Sequence, residues 1–120
     1  MRKMIVTTLL LFSTLSQAQK STEIYIPIGK SPGLSGKQSV IGTIQEVDVQ
    51  KHWLILSNAE GRHKFMVSKM TKIWLDRSHE NRTNTSGTFT DCKIGVVAEV
   101  KGLPKTKEFA EWIKLEYKAP

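Results

Sequence analysis

The sequence predicts a mainly β fold, in which one small antiparallel barrel of five to six strands encloses a single core. Short runs of β-favouring residues recur along the chain and are separated by turn residues. No apolar pattern supports a helix of more than two turns. A chain of 120 residues has the usual length of one domain. Strands this short bury their apolar side chains better by closing on themselves than as two flat sheets.

The first 18 residues contain the three parts of a secretory signal peptide in the expected order. Arg2 and Lys3 are positive, an apolar run follows, and Ser16 and Ala18 are small residues at the −3 and −1 positions of a cleavage site. We therefore predict cleavage after Ala18 and a secreted or periplasmic protein. The apolar run is about half the roughly 20 residues that a spanning helix needs, so we expect no transmembrane segment in the mature form.

The composition is that of a globular protein with a basic balance. Hydrophobic residues make up 39% and charged residues 24%, which argues against wholesale disorder, collagen or a multi-span membrane protein. The full chain has a net charge of +7. Without Arg2 and Lys3, the 18 basic side chains become 16 against 11 acidic ones, which leaves +5.

The mature chain divides into an N-terminal segment and the barrel domain. Residues 19–38 contain prolines and glycines, so we expect an extended, irregular segment that packs against the domain, which spans residues 39–120. The alternation in the first strand changes phase near Gly42, as it does at a β-bulge or glycine kink. The second and third strands read as a hairpin. The predicted strands are residues 39–49, 52–57, 63–67, 71–75, 96–100 and 110–117.

Two segments interrupt the strands. Residues 77–88 are polar throughout and predict a surface loop. Residues 90–95 predict one helical turn, with Thr90 or Asp91 as its cap and Gly95 as its end. The predicted core is Ile41, Ile44, Val47, Leu54, Leu56, Phe65, Val67, Ile73, Leu75, Phe89, Val97, Val100, Ile113 and Leu115.

Four short motifs occur in one order along this pattern. They are Ile41-Gly42-Thr43-Ile44, Thr71-Lys72-Ile73, the turn at 91–95 leading into 97–102, and Ala110-Glu111-Trp112-Ile113. The order resembles a family of small exported bacterial domains of unknown function with an OB-like β-barrel, over residues 40–117. The resemblance implies an OB-like barrel of five to six strands and implies no catalytic residues.

Cys92 is the single cysteine, so the chain cannot form an internal disulfide. An exposed thiol in an oxidising compartment forms mixed disulfides or dimers. We therefore predict that Cys92 is buried as a small apolar residue near Phe89 and Ile94. An intermolecular disulfide or a reactive thiol is the alternative.

The sequence offers little support for catalysis or metal binding. It contains no nucleophile elbow, no zinc-protease motif, no phosphate-binding loop and no dinucleotide fingerprint. Asp76, His79 and Glu80 come close together, but they fall in a polar stretch that naturally contains such residues. We predict no catalytic residues, no metal site and no cofactor.

The basic charge and the three tryptophans predict a binding surface. Strands that carry aliphatic residues on one face place Trp74 and Trp112 on the other, and if that face points outward the rings lie beside Lys72 and Lys114. The alternative is that one or more of the tryptophans pack under the N-terminal segment. Aromatic rings over a positive groove are typical of surfaces that bind polymers by stacking. The predicted binding residues are Lys72, Trp74, Arg77, Trp112 and Lys114.

These observations predict a binding or interaction module without catalytic activity. Export argues against nucleic acid as the ligand and favours an anionic envelope polymer, a glycan or an acidic protein. One alternative is a structural or assembly module whose tryptophans are buried. Another is a small hydrolase or nuclease, which would need a concave pocket with paired acids or a histidine beside an acid.

Overall fold

The computed structural model describes residues 22–118. The predicted leader, residues 1–18, lies outside this range, as do residues 19–21 of the predicted N-terminal segment. Within residues 22–118, no helix has the length and apolar character needed to cross a membrane. Among the described residues, the longest helix is a single 3-10 turn of four residues, Thr22–Tyr25.

Seven strands form one mixed sheet. They are β1 Ser39–Asp48, β2 Trp53–Asn58, β3 Gly61–Met66, β4 Lys72–Asp76, β5 Thr85–Ser86, β6 Val97–Gly102 and β7 Ala110–Glu116. Their order across the sheet is β3, β2, β1, β6, β7, β4, β5. All neighbours are antiparallel except β4 and β7, which run parallel over five residue pairs.

The mainly β class is confirmed, but the sheet is not a closed OB-like barrel of five to six strands. β4 pairs in parallel with the edge of β7, and the short strand β5 pairs with the other edge of β4. β3 reaches the chain ahead of β7 only at an isolated bridge between Met66 and Phe109, where the Met66 N–H donates to the Glu108 carbonyl at 2.7 Å. One bridge is too short to act as a strand pair that closes the sheet.

A bulge in β1 keeps its apolar side chains on one face. The pairing of β1 with β2 shifts register between Ile44 and Glu46, so Gln45 is an extra residue. Side chains alternate between faces along a strand, and one extra residue reverses the alternation. As a result Ile44 and Val47 both face the core. The bulge therefore explains the change of phase that the sequence pattern predicts.

The core contains most of the aliphatic side chains expected there. Ile41 and Val97 are exceptions: they are half-buried and lie outside the core cluster, because Val40 and Val96 take the inward positions next to them. The buried cluster is Ile44, Leu54, Leu56, Phe65, Val67, Cys92, Ala98, Val100, Ala110, Ile113 and Leu115, with Val47, Ile73, Leu75 and Phe89 packed against it.

The segment between β4 and β6 is more ordered than a plain surface loop. It contains 3-10 turns at Ser78–Glu80 and Phe89–Asp91 as well as β5. The second turn is capped by Thr88, whose side chain and that of Asp91 form a capping box. The expected cap at Thr90 or Asp91 is therefore wrong, because Thr88 is the residue that precedes the turn with extended backbone.

Residues 22–38, which we call the strap, lie across the face of the sheet opposite the core. The strap begins with the 3-10 turn Thr22–Tyr25 and continues through further turns to β1. Contacts join it to distant strands: the Ile28 N–H donates to Asp76 at 2.8 Å, and the Gly29 N–H donates to Glu99 at 3.0 Å. The strap turns this second face of the sheet into a buried interface.

Candidate functional site

The strand register sets polar side chains side by side on the face beneath the strap. Glu99 on β6 is paired with Lys114 on β7, and Lys114 is paired with Trp74 on β4. A second row lies two residues further along the strands and consists of Lys101, Trp112 and Lys72. Because cross-strand neighbours on one face lie close together, these residues form a continuous array.

Two of the predicted binding residues are buried in this array. Lys114 has no exposed surface and Trp112 is 4% exposed. The Lys114 ammonium lies 4.5 Å from the centre of the Trp112 ring, and the Trp112 and Trp74 rings are 5.8 Å apart. An outward-facing patch built on Trp112 and Lys114 is therefore not formed, because the strap covers the face that the alternation assigned to solvent.

The other three predicted residues are at least partly accessible. Lys72 is exposed and Trp74 is half-buried. Arg77 is half-buried and already engaged: its guanidinium lies 3.9 Å from the Tyr117 ring centre and bonds Thr85 at 2.9 Å and Glu80 at 3.2 Å. The structure places Lys72 and Trp74 near each other on β4 but leaves Arg77 committed to its own contacts.

A buried ion pair joins the strap to β7. Lys114 Nζ donates to Glu23 Oε1 at 2.8 Å and to Ser31 Oγ at 3.3 Å, and Ser31 Oγ in turn donates to Glu23. Burial acts to raise the pKa of Glu23, but the bonds from Lys114 and Ser31 and the charges of Lys114 and Lys101 lower it below its usual value. Glu23 is therefore a carboxylate that offsets the charge of a fully buried lysine.

Two further carboxylates hold the strap by its backbone and hydroxyl groups. Glu99 is fully buried and accepts bonds from the Gly29 N–H, from Ser35 Oγ at 2.7 Å and from Ser39 Oγ at 2.6 Å. Asp76 is 4% exposed and accepts the N–H groups of Ile28 and Ser78, both at 2.8 Å. These bonds satisfy the buried oxygens, which would otherwise cost stability.

The Ser31 and Lys114 pair has the distance of a nucleophile and base but not their chemistry. A serine nucleophile needs a neighbour that can accept its proton. Ser31 donates that hydrogen to Glu23, and the Lys114 ammonium is itself a donor to both groups. Within residues 22–118, no three His, Cys, Asp or Glu side chains are grouped as metal ligands. The contacts among Glu23, Ser31 and Lys114 attach the strap to β7.

A groove of about 510 Å³ opens where β1 begins and β6 ends. It has an apolar floor and a positive rim, a combination that suits an anionic ligand with an apolar body. The floor includes Val40, Phe65 and Val100, and the rim carries Lys37, Lys101 and Lys107. We call this site the lysine groove.

The wall of the lysine groove that carries Lys107 depends on Gly102. A Cβ atom at Gly102 would collide with the Lys107 carbonyl oxygen, so the absence of a side chain lets the loop after β6 fold closely over the strand end. The Leu103 N–H then bonds the Phe109 carbonyl at 2.9 Å and closes the loop. This loop brings Lys107 to the groove that Lys37 of the strap also lines.

The three lysines differ in how far their charges are available. Lys101 is mostly buried and pairs with Glu111 at 2.7 Å. Lys37 and Lys107 are exposed, and neither forms an ion pair with another residue of the described range 22–118. Lys37 and Lys107 therefore supply the accessible positive charge of the groove.

The sequence pattern did not single out Lys37 or Lys107. Both belong to segments without strand alternation, and the groove appears only when the strap and the β6–β7 loop meet. The only hint was compositional, because the strap and the β6–β7 loop each contain two lysines.

The comparisons with known proteins add no family to this description. The resemblance noted from the four motifs is therefore supported only as far as a small β-rich domain. Searches against protein-family models, curated proteins and solved structures found no match for this chain.

Proposed function

We propose that the mature chain is an exported, non-enzymatic binding module that holds an anionic polymer in the lysine groove. The observation that carries the proposal is the groove itself, which is lined by the exposed Lys37 and Lys107 together with the apolar Val40, Phe65 and Val100. Unpaired lysines at a concave site attract anionic groups, and apolar walls strengthen the field between them. A net charge of +5 for the mature chain adds long-range attraction.

The chemistry of the buried groups supports binding over catalysis. Ser31 and Lys114 are bonded to Glu23, and burial together with the neighbouring Asp91 charge raises the pKa of the Cys92 thiol to about 12. A thiol of that kind is protonated at neutral pH and is a poor nucleophile. Ser31, Lys114 and Cys92 are thus engaged or protonated.

A salt series with defined polymers tests the proposal. The mature chain should bind dextran sulfate or poly-L-glutamate at about 20 mM salt. This binding should weaken sharply by about 300 mM salt, because salt screens exposed charges. Neutral dextran should not bind. Comparing the sulfated glycan with the acidic polypeptide shows which source of anionic groups is preferred.

Two double variants with the same change in net charge locate the site. Lys37→Ala/Lys107→Ala should lower the affinity for the preferred polymer roughly tenfold, since each exposed charge contact contributes up to about 1 kcal/mol. Lys51→Ala/Lys93→Ala removes two exposed lysines beyond the other ends of β1 and β6 and should have little effect. Equal losses in both variants would show unspecific charge attraction, and the groove proposal would be abandoned.

A structural or assembly module is the second candidate. The burial of Trp112, the half-buried state of Trp74 and the covered outer face favour it. Under this proposal the chain binds neither polymer at low salt, and aqueous quenchers reach Trp112 only after unfolding.

A further inference from the structure

The wall of the lysine groove that carries Lys37 is a turn held by local hydrogen bonds within residues 31–39. The N–H groups of Lys37 and Gln38 both donate to the Leu34 carbonyl, at 3.0 and 2.8 Å. Both residues line the groove. Within the described range 22–118 no strand pairs with the turn, so its position over the sheet depends on its link to β1 at Ser39 and on side-chain contacts.

Those contacts converge on one buried carboxylate. Glu99 Oε2 accepts the hydroxyl groups of Ser35 and Ser39, at 2.7 and 2.6 Å; Ser35 lies within the turn and Ser39 directly follows it. Ser39 Oγ also accepts the Gly36 N–H at 3.1 Å. Glu99 has no exposed surface and does not line the groove. Its carboxylate can reach a ligand only through the turn.

We infer that Glu99 is a positioning residue for the lysine groove, which holds the 34–38 turn so that Lys37 faces Lys107. The inference rests on the proposed function, since it names the residue that sets the geometry of that site. A fixed turn presents the Lys37 charge to the ligand without a further loss of conformational freedom on binding. When Glu99 is replaced by glutamine, the turn moves more freely and Lys37 contributes less to the affinity for the ligand.

The experiment is a pairwise comparison of affinities for poly-L-glutamate, or for dextran sulfate if that is preferred, at about 20 mM salt. Glu99→Gln keeps the shape of the side chain and should lower the affinity about threefold. In a Lys37→Ala background the same change should have no further effect, because Glu99 acts through Lys37. Ser35→Ala, at a half-buried position outside the core, should weaken binding in the same way and serves if Glu99→Gln does not fold.

Asp76→Asn is the matched control. Asp76 is also a buried carboxylate that holds the strap, but it acts at Ile28, away from the groove. It should lower stability in urea without changing the affinity of the folded protein. Equal losses of affinity in Asp76→Asn and Glu99→Gln, or an undiminished Glu99→Gln effect in the Lys37→Ala background, would overturn the inference.

The outcomes separate this inference from the proposed function. If Lys37→Ala/Lys107→Ala binds as well as the parent chain, the groove is not the binding site and both fail. If that variant loses affinity while Glu99→Gln and Ser35→Ala retain it, the groove stands and the positioning role of Glu99 is rejected.

Discussion

At the scale of single residues, Cys92 is buried, as the sequence predicts. The thiol is 4% exposed and belongs to the core cluster. Its depth in the core is incompatible with a disulfide to a second molecule while the protein stays folded. The alternative of an exposed reactive thiol is likewise not supported by this placement.

We predict that Cys92 resists labelling in the folded protein. With a pKa of about 12, raised by burial and by the charge of Asp91, almost no thiolate is present at pH 8. Ellman's reagent at that pH should leave the native thiol unmodified while it labels the urea-unfolded chain fully. A cysteine at the exposed neighbour, in Thr90→Cys/Cys92→Ala, should react at once. Native Cys92 reacting as fast as this control would contradict the burial.

Lys114 is buried on a strand face that the sequence pattern assigns to solvent. In β7, Trp112, Lys114 and Glu116 alternate with Ile113 and Leu115, which predicts a face turned to solvent. The alternation was correct, but the strap covers the face that carries Lys114. Lys114 is one of the largest fully buried side chains in the described chain. The residue that offsets its charge, Glu23, lies 91 positions away in the sequence.

At the scale of elements, the close approach of β1 to β2 depends on a glycine. A Cβ atom at Gly42 would lie 2.7 Å from the Ser57 carbonyl oxygen and 3.1 Å from its carbon. Both are backbone atoms, which cannot rotate away as a flexible side chain would. The glycine in the first motif is thus explained by close approach of two strands.

Gly42→Ala should therefore destabilise the protein. We expect a loss of about 1–3 kcal/mol, because overpacking forces the backbone of β1 and β2 apart. The neighbouring exposed Thr43→Ala changes the same strand without a clash and should cost less than about 1 kcal/mol. Urea unfolding of both variants makes the comparison. Equal stabilities for the two would mean that β1 and β2 can separate at no cost.

Strand pairing also explains why the barrel prediction failed at closure. Six of the seven strands were placed within a few residues of their observed bounds, since turn residues and alternation are local signals, but β5 lies in the stretch predicted as a surface loop. The parallel pairing of β4 with β7 leaves no local trace, because it brings together segments about 40 residues apart. That pairing determines the sheet order.

At the scale of the whole molecule, the strap and the sheet are joined through ionised groups. Burial acts to raise the pKa of Asp76, but hydrogen bonds from Ile28 and Ser78 and the charge of His79 lower it. The pKa of Glu23 is lowered too, by Lys114, Ser31 and Lys101 against the effect of burial. Both carboxyl groups therefore favour the folded state in their charged form.

We predict that the protein loses stability in acid. A carboxyl group with a lowered pKa stabilises the fold above its ordinary pKa, which is 4.5 for Glu23 and 3.8 for Asp76, and this stability is lost as the pH falls through the folded values. The urea midpoint should hold between pH 7 and 5.5 and fall below about pH 4.5.

Asp76→Asn should flatten part of this pH dependence, because the amide does not titrate. Glu60→Gln, at an exposed turn position, should leave the dependence unchanged. An Asp76→Asn protein whose urea midpoint falls with acid as steeply as that of the parent chain would show that Asp76 does not carry the effect.

The amino-acid sequence by itself determined the β-rich class, the positions of the main strands, the phase change in β1, most of the core and the burial of Cys92. These depend on side chains that are neighbours along the chain, through alternation, turn chemistry and apolar content. Only the tertiary structure decided the sheet order, the burial of Lys114 and Glu99 beneath the strap, and the lysine groove. Each of these requires segments far apart in sequence to meet, and a local pattern assigns a side chain to a face without saying what covers that face.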